Sequence, residues 1–175
     1  DKMKDKSEFI RLAGIVRESI VDGPGIRLVV FCQGCPHGCR ECHNTVTHDF
    51  AGGYDCSVDR ILQAVDENPL LDGVTFSGGE PACQPAGFLS LARGIKARGL
   101  DIIMYSGYTF EELQSMAENS QDLARLLQYV DILVDGRYEA EKRDLTLAFR
   151  GSTNQRVIDV KASLREGKVV DSEKF

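Results

Sequence analysis

The chain has 175 residues, and its 42% hydrophobic and 27% charged residues are the proportions of an ordinary soluble globular domain. Its 21 basic and 27 acidic residues give a net charge of −6, which argues against nucleic acid or an anionic membrane surface as a partner. The longest clean apolar run, Leu28–Cys32, is far shorter than the roughly 18–20 residues of a membrane span. The charged first residues lead into no long apolar segment of the kind found in a secretory signal. We therefore expect a cytoplasmic protein.

Strand-like and helix-like patterns alternate along the chain. Three helical patterns carry start signals, which are a candidate N-cap at Ser57, Pro85, and a capping box formed by Thr109 and Glu112. In chain order, the sequence predicts a strand at Arg11–Val16, a strand at Ile26–Cys32, a helix over Val58–Val65, a strand at Gly73–Phe76, a helix over Phe88–Ile95, a strand at Ile102–Tyr105, a helix from Thr109, a helix over Leu123–Val130, a strand at Ile132–Val134 and a strand at Arg156–Val160.

This alternation predicts parallel βαβ units and an α/β fold. The strands from Ile26 onward are too few for a closed eight-stranded barrel of about 250 residues, so a doubly wound open sheet and a partial barrel both remain. We expect one domain over residues 1–175, with a core at about 10–161 and charged, flexible ends at 1–8 and 166–175.

Glycine-rich polar stretches follow most of the predicted strands at their carboxyl ends. They are Gly34-Cys35, Ser77–Pro81, Ser106–Tyr108 and Asp135–Arg137. Because ligands of parallel α/β sheets bind at the carboxyl edge, we expect the functional site to lie there.

Four of the six cysteines, Cys32, Cys35, Cys39 and Cys42, fall within eleven residues. In a reducing compartment such a cluster indicates metal or redox chemistry. Four thiolates could hold a zinc ion, although zinc ribbons separate their two Cys-x2-Cys pairs by about 15–20 residues. Four thiolates could also hold a complete 4Fe–4S cluster, although ferredoxins space their cysteines differently. Alternatively, Cys35-x3-Cys39-x2-Cys42 could hold a four-iron cluster with one open iron, and an open position is typical of catalytic metal sites.

The three-cysteine spacing of Cys35, Cys39 and Cys42, followed by His43-Asn44 and later by Gly78–Pro81, resembles the radical S-adenosylmethionine (SAM) enzymes. The cysteine motif is specific to that superfamily.

Other stretches resemble one branch of the superfamily, the activases of glycyl radical enzymes. Asp22–Arg27 is similar to that branch as a whole. Three later stretches, Met104–Leu113, Val130–Arg137 and Phe149–Arg156, are most similar to the activases of anaerobic ribonucleoside-triphosphate reductase. The resemblance covers roughly residues 10 to 160.

This resemblance implies a partial (β/α) barrel of about five to six mostly parallel strands. It implies that Cys35, Cys39 and Cys42 ligate a 4Fe–4S cluster whose open iron binds the amino and carboxylate groups of SAM. One electron then cleaves SAM into methionine and a 5′-deoxyadenosyl radical, which removes a hydrogen atom from a glycine of the partner reductase. The implied partners are that reductase, a flavodoxin or ferredoxin as low-potential electron donor, and a second copy of the chain in a homodimer within a heterotetramer.

The resemblance also assigns roles around SAM to the first glycine-rich loop. Gly78 and Gly79 let the backbone approach SAM closely, and Glu80 offers a carboxylate or fixes the turn near the SAM ammonium group. The alternative is that the two glycines have a structural role only and end a strand.

Five further residues are implied to contact SAM. Glu41 and His43, which flank the third cysteine, lie against the adenine in related enzymes. Ser106, Asp135 and Arg137 stand where the family contacts the methionyl and ribose parts of SAM. Some relatives have Lys in place of Arg137, and Asp135 with the following glycine would by itself be an ordinary turn.

Several residues are expected to have no direct role in the chemistry. Cys32 shares the strand parity of the apolar residues before it, so we interpret it as a packing residue near the cluster, with a fourth ligand as the alternative. Cys56 and Cys83 are expected to be structural or incidental, and His37 and His48 to be surface residues.

Three functions therefore compete. The first is a glycyl radical activase, either of the anaerobic reductase or of another enzyme such as pyruvate formate-lyase. The second is an electron-transfer iron–sulfur protein, which leaves the glycine-rich loop after the predicted strand Gly73–Phe76 unexplained. The third is a zinc-stabilised interaction domain.

Overall fold

The computed structural model of the protein describes residues 7–35, 52–144, 146–147 and 149–172. These residues form one seven-stranded sheet and five α-helices. None of the helices in this part of the chain combines the length and hydrophobicity that spanning a bilayer requires. In chain order, the elements are β1 (Phe9–Ser19), β2 (Arg27–Cys32), β3 (Tyr54–Ser57), α1 (Val58–Asp66), β4 (Gly73–Gly78), α2 (Pro85–Ala97), β5 (Asp101–Tyr105), α3 (Phe110–Ala117), α4 (Gln121–Tyr129), β6 (Ile132–Asp135), β7 (Arg156–Asp159) and α5 (Val160–Glu166), with short 3-10 helices at Pro81–Cys83 and Ala140–Lys142.

The strand order across the sheet is β3-β1-β2-β4-β5-β6-β7. Strands β2, β4, β5 and β6 run parallel, whereas β1 is antiparallel to both of its neighbours and β7 is antiparallel to β6. The register places one buried apolar row across five strands, formed by Val30, Phe76, Met104, Leu133 and Ile158. The parallel centre confirms the α/β class that the sequence predicts.

The sheet has more strands than the five to six predicted, and its edges are antiparallel. Strand β3 is only four residues long and partly exposed, with Cys56 as its one buried side chain, so its pattern is too short to predict a strand. The connection from β6 to β7 contains no α-helix among its described residues, and a strand reached without a crossover helix pairs antiparallel. Strand β7 ends at Asp159, one residue before the predicted end, because the Asp159 carboxylate caps α5 by accepting from the backbone N of Ala162 at 2.9 Å.

The helix start signals are confirmed. The hydroxyl of Ser57 accepts from the backbone N of Arg60, and α2 begins at Pro85. Thr109 and Glu112 form the reciprocal capping box, in which each side chain accepts a hydrogen bond from the backbone N of the other. Satisfying the first backbone N–H groups of a helix in this way fixes where it starts.

The two faces of the sheet are covered differently. The main hydrophobic core packs one face against α1, α2, α3 and α4, and it includes the apolar row described above. A second, smaller cluster lies on the other face and contains Ile103, Ile132, Val134 and Val157, with Tyr105 packed against it. Because the parallel strands are added in one direction and crossovers are right-handed, their helices fall on one side of the sheet.

The Arg27 side chain is fully buried at the start of β2 and links that strand to β4 and β5. Its guanidinium donates to the Thr75 hydroxyl at 2.8 Å and to the Val74 carbonyl at 3.0 Å, and it pairs with the Asp101 carboxylate at 2.6 Å. A further bond at 3.2 Å reaches the carbonyl of Pro24 in the loop before β2. Burying a charge is compatible with a stable fold only when hydrogen-bond and ion-pair partners compensate for the lost hydration, so loss of these partners should destabilise the protein.

We predict that Arg27→Lys lowers the free energy of unfolding by about 2–3 kcal/mol, because lysine keeps the charge but cannot make the forked bonds to β4 and β5. Arg17→Lys is the matched control, since Arg17 makes an exposed ion pair with Glu67 and the same change there should stay within about 0.5 kcal/mol. Urea denaturation of both variants measures the difference. Equal stability of the two would contradict the role given to Arg27.

Candidate active site at the carboxyl edge

The carboxyl ends of β2, β4, β5 and β6 lie at one edge of the sheet. The loops that follow these strands contain the glycine-rich stretches singled out from the sequence, so the structure brings the described candidate residues to one side of the molecule, as predicted. Hydrogen bonds link each loop to the next, and these links determine what the side chains can do.

The loop after β2 is paired with the loop after β4. The backbone N of Gly79 donates to the Cys32 carbonyl, and the backbone N of Glu80 donates to the Gly34 carbonyl, both at 2.7 Å. Parallel pairing thus continues past the strand ends, up to the residue before Cys35. The first cysteine of the three-cysteine motif therefore leaves the sheet from a fixed position.

Glycine is required for this close approach. Gly78 has a φ of +92°, which favours glycine, and a Cβ there would lie 2.6 Å from the backbone N of Cys32. A Cβ on Gly79 would overlap the carbonyl oxygen of Gly34. The neighbouring backbone accounts for both glycines, and their contact with SAM remains a prediction.

Glu80 is fully buried, and its carboxylate joins the loops after β4 and β5. One oxygen accepts from the Ser106 hydroxyl at 2.8 Å and from the backbone N of Ala82 at 3.1 Å. The other accepts from the backbone N of Gly107 at 2.8 Å. A buried carboxylate needs such donors, and these bonds hold the turn after β4 in place. A contact of Glu80 with SAM stays a prediction.

The loop after β5 continues this linkage. The Ser106 hydroxyl accepts from the backbone N of Tyr108 at 3.1 Å, and the Tyr108 carbonyl accepts from the backbone N of Gly136 at 3.2 Å. Burial, followed by the neighbouring Cys83 thiol, raises the pKa of Tyr108, while Arg137 acts in the opposite direction. The sequence predicts Tyr108 at this edge, within the stretch Ser106–Tyr108. It gives no sign of Cys83, which was expected to be structural or incidental, because only the fold brings Cys83 beside Tyr108.

Asp135 ends β6 with a side chain that is only 1% exposed. Its carboxylate accepts from the backbone N of Phe110 at 2.7 Å and binds the Arg156 guanidinium at 2.5 Å. Arg156 also pairs with Glu111, and its hydrogen bonds with Asp135 and then Glu111 raise its pKa. The Asp135 carboxylate is therefore engaged with α3 and β7, whereas Arg137, two residues further along the chain, is exposed.

The cysteine motif is described only at its first residue. Cys35 is half-buried at the end of the β2 loop. The predicted ligands Cys39 and Cys42 and the predicted SAM contacts Glu41 and His43 lie outside the described residues. Within the described ranges, no group of three or more His, Cys, Asp or Glu side chains is arranged to hold a metal ion.

Cys32 belongs to the main hydrophobic core and is completely buried, as its strand parity predicts. Burial, and next the Glu80 carboxylate, raise the pKa of its thiol well above the usual value. A neutral, packed thiol agrees with the interpretation of Cys32 as a packing residue. Cys56 is also a core residue, as expected.

Comparison with known proteins gives the class and the family. A family model described as a 4Fe-4S single cluster domain matches residues 21–158. The anaerobic ribonucleoside-triphosphate reductase-activating protein of Pasteurella multocida is 34% identical over 145 residues, and that of Vibrio cholerae is 35% identical over 150 residues, each match covering 78% of this chain and 89% of the relative. The pyruvate formate-lyase-activating enzyme of Clostridium pasteurianum is 34% identical over 127 residues, covering 69% of this chain and 53% of that enzyme.

These matches define an iron–sulfur enzyme of the radical SAM class, as the cysteine motif predicts. Within that class, the chain belongs to the family of anaerobic ribonucleoside-triphosphate reductase-activating proteins.

We predict that Gly79→Ala destabilises the protein by about 2–3 kcal/mol, because the new methyl group would meet backbone atoms that cannot rotate away. Gly14→Ala is the control: Gly14 lies in β1 with no atom within 4 Å of an added Cβ, so this change should be neutral or stabilise by about 0.5 kcal/mol. Thermal and urea unfolding measure both. A Gly79→Ala variant as stable as Gly14→Ala would show that the two loops can separate freely.

Proposed function

We propose that this protein uses a 4Fe–4S cluster and SAM to generate a glycyl radical on an anaerobic ribonucleoside-triphosphate reductase. The observation that carries the proposal is the backbone pairing that sets Cys35 beside Gly79 and Glu80 at the carboxyl edge. That pairing joins the cysteine motif and the glycine-rich loop, two features that the electron-transfer alternative does not connect. The names of the relatives from Pasteurella multocida and Vibrio cholerae support the reductase as the target.

The residues present fit an iron–sulfur cluster with an open iron. Cys35, Cys39 and Cys42 would hold it, and thiolates are the usual ligands of such clusters. Cys35 is half-buried at the edge, whereas Cys32 is fully buried among apolar side chains. When bound, the cluster with SAM supplies the electron and the radical chemistry, which belong to the cofactors rather than to the protein.

The protein's own residues shape the place where SAM would bind. Glu80 and Ser106 hold the loops after β4 and β5 together, so the backbone groups of Gly78 and Gly79 keep a fixed orientation. The exposed Arg137 would face the SAM carboxylate. Glu41 and His43 would lie against the adenine, as the resemblance implies, and Asp135 would act by positioning its loop.

The topology supports a partial barrel. Four parallel strands added in one direction leave the face that carries Tyr105 and Val134 without a layer of α-helices among the described residues. In a (β/α) barrel that face is the interior. We infer that a glycine-bearing loop of the reductase reaches SAM at the carboxyl edge, with a flavodoxin or ferredoxin as electron donor and a homodimer within a heterotetramer as the assembly.

We predict that Cys35→Ala, Cys39→Ala and Cys42→Ala each abolish the cluster, whereas Cys32→Ala and Cys56→Ala retain it. The two controls remove buried thiols that pack in the core, so they should cost stability without removing iron. Iron and sulfide content after anaerobic reconstitution measures the effect. Loss of the cluster in Cys32→Ala would indicate four thiolate ligands and would favour electron transfer over the activase.

The function itself is tested by electron paramagnetic resonance of the dithionite-reduced protein with and without SAM. We expect the cluster signal to change on adding SAM, with release of methionine and 5′-deoxyadenosine, and a glycyl radical to form on the anaerobic reductase. A signal indifferent to SAM would overturn the radical SAM assignment. A radical formed on pyruvate formate-lyase but not on the reductase would transfer the protein to the alternative substrate.

A further inference from the structure

The turn after β6 depends on a single glycine. Gly136 has a φ of +95°, a conformation that other residues rarely adopt, and it turns the chain so that Arg137 is exposed beyond the sheet edge. Its backbone N is held by the Tyr108 carbonyl, as described above. Its carbonyl points the other way, toward the end of the long connection between β6 and β7, which we call the β6–β7 loop (residues 136–155).

Gln155 at the end of this loop holds the Gly136 carbonyl. The Gln155 amide oxygen accepts from the backbone N of Gly151 at 2.8 Å and of Ser152 at 3.1 Å. Its amide nitrogen donates to the Gly136 carbonyl at 3.1 Å. Only the oxygen can satisfy two backbone N–H groups, so the surroundings fix the orientation of the amide.

Asn154 holds the next carbonyl along the chain. Its amide nitrogen donates to the Arg137 carbonyl at 2.8 Å. Two successive carbonyls, those of Gly136 and Arg137, are therefore bound by two successive side chains of the same loop, Asn154 and Gln155. These bonds fix the two peptide planes on either side of the Arg137 Cα, from which the side chain projects.

We propose that Gln155, assisted by Asn154, is a positioning residue for SAM binding, which acts by fixing the backbone of Gly136 and Arg137. This inference rests on the proposed function, because it requires that Arg137 faces SAM. A long arginine side chain loses about 2 kcal/mol of rotamer freedom when it is fixed, so a mobile backbone beneath it would add to the cost of binding. Gln155 does not touch SAM in this scheme and acts only through Arg137.

The position of Gln155 in the hydrogen-bond linkage strengthens the inference. Glu80 holds Gly107, the carbonyl of Tyr108 holds Gly136, and Gln155 holds Gly136 from the other side. Gln155 therefore makes the last contact in this series of hydrogen bonds along the carboxyl edge. Loss of the Gln155 contact should loosen the loop after β6 while the hydrogen bonds of Glu80 remain.

The test uses Gln155→Glu, which is nearly isosteric. The carboxylate keeps an acceptor for the Gly151 and Ser152 N–H groups but places a second oxygen against the Gly136 carbonyl. Hydrogen–deuterium exchange of the protein without cluster gives the first readout, and we expect faster exchange at the backbone N of Gly136. This measurement needs neither SAM nor turnover.

SAM binding gives the second readout. Equilibrium dialysis with SAM and the reconstituted, unreduced protein should show a Kd raised about tenfold in Gln155→Glu, the loss expected for one hydrogen bond replaced by a repulsive contact. The KM for SAM should rise in parallel, while kcat at saturating SAM should stay within about twofold of the wild type.

Ser152→Ala is the matched control. The Ser152 hydroxyl accepts from the backbone N of Glu139 at 3.2 Å, so this variant removes a bond of the β6–β7 loop without touching the Gly136 or Arg137 carbonyls. We expect it to lower the melting temperature but to leave the SAM Kd unchanged. If Gln155→Glu does not fold, Asn154→Asp tests the same proposal through the Arg137 carbonyl.

The outcomes separate the two proposals. If the wild type does not bind SAM, the proposed function is wrong and the inference fails with it. If the wild type binds SAM and Gln155→Glu binds it equally well, only the positioning role is overturned, whatever happens to the exchange rate. A raised Kd shared by Ser152→Ala would reduce Gln155 to a general stabiliser of its loop.

Discussion

The close contact between the ends of β2 and β4 is the constraint on which the rest of the site depends. Two backbone hydrogen bonds from Gly79 and Glu80 continue the parallel ladder beyond the strands, and glycine at positions 78 and 79 lets the two backbones meet. The cysteine loop consequently starts from a defined point, next to Cys35. The same contact orients the Glu80 carboxylate toward the loop after β5, so one short-range interaction positions two loops of the edge.

The two buried acids at the carboxyl edge hold its loops in place. Glu80 and Asp135 are almost completely buried, and each carboxylate accepts several hydrogen bonds from backbone or side-chain donors. Burying such a group without hydrogen-bond partners would cost several kcal/mol, so these donors are needed for the acids to be buried at all. Arg156 in β7 pairs with Asp135, whereas Arg137, two residues after Asp135, is exposed. Under the proposed function, its positive charge complements the carboxylate of SAM.

Sequence patterns predicted the centre of the fold better than its edges. Helices α1 to α4 have apolar spacing, and α1 to α3 also have recognisable start signals, such as Ser57 and Thr109, because capping is a local interaction. Strand β3 and the direction of β7 have no local signal, since both are decided by what the chain meets in space. At the site, the glycine-rich stretches predicted which loops converge, but contacts between distant residues stayed out of reach of sequence patterns. The commitment of Asp135 to Arg156, 21 residues away, could not be read from either neighbourhood.

The stretch Phe149–Arg156 shows how a family signature can arise from a structural requirement. Strand β7 returns antiparallel after a long connection, so the fold must secure the chain where it re-enters the sheet. Gln155 and Arg156 do so by binding the backbone of Gly136 and the carboxylate of Asp135, respectively. Each of the two acceptors needs a donor at one particular position, and Gln155 and Arg156 supply these donors. Under the proposed function, the loop held in this way carries Arg137, so a motif that contains no reactive group would act on SAM binding through the backbone alone.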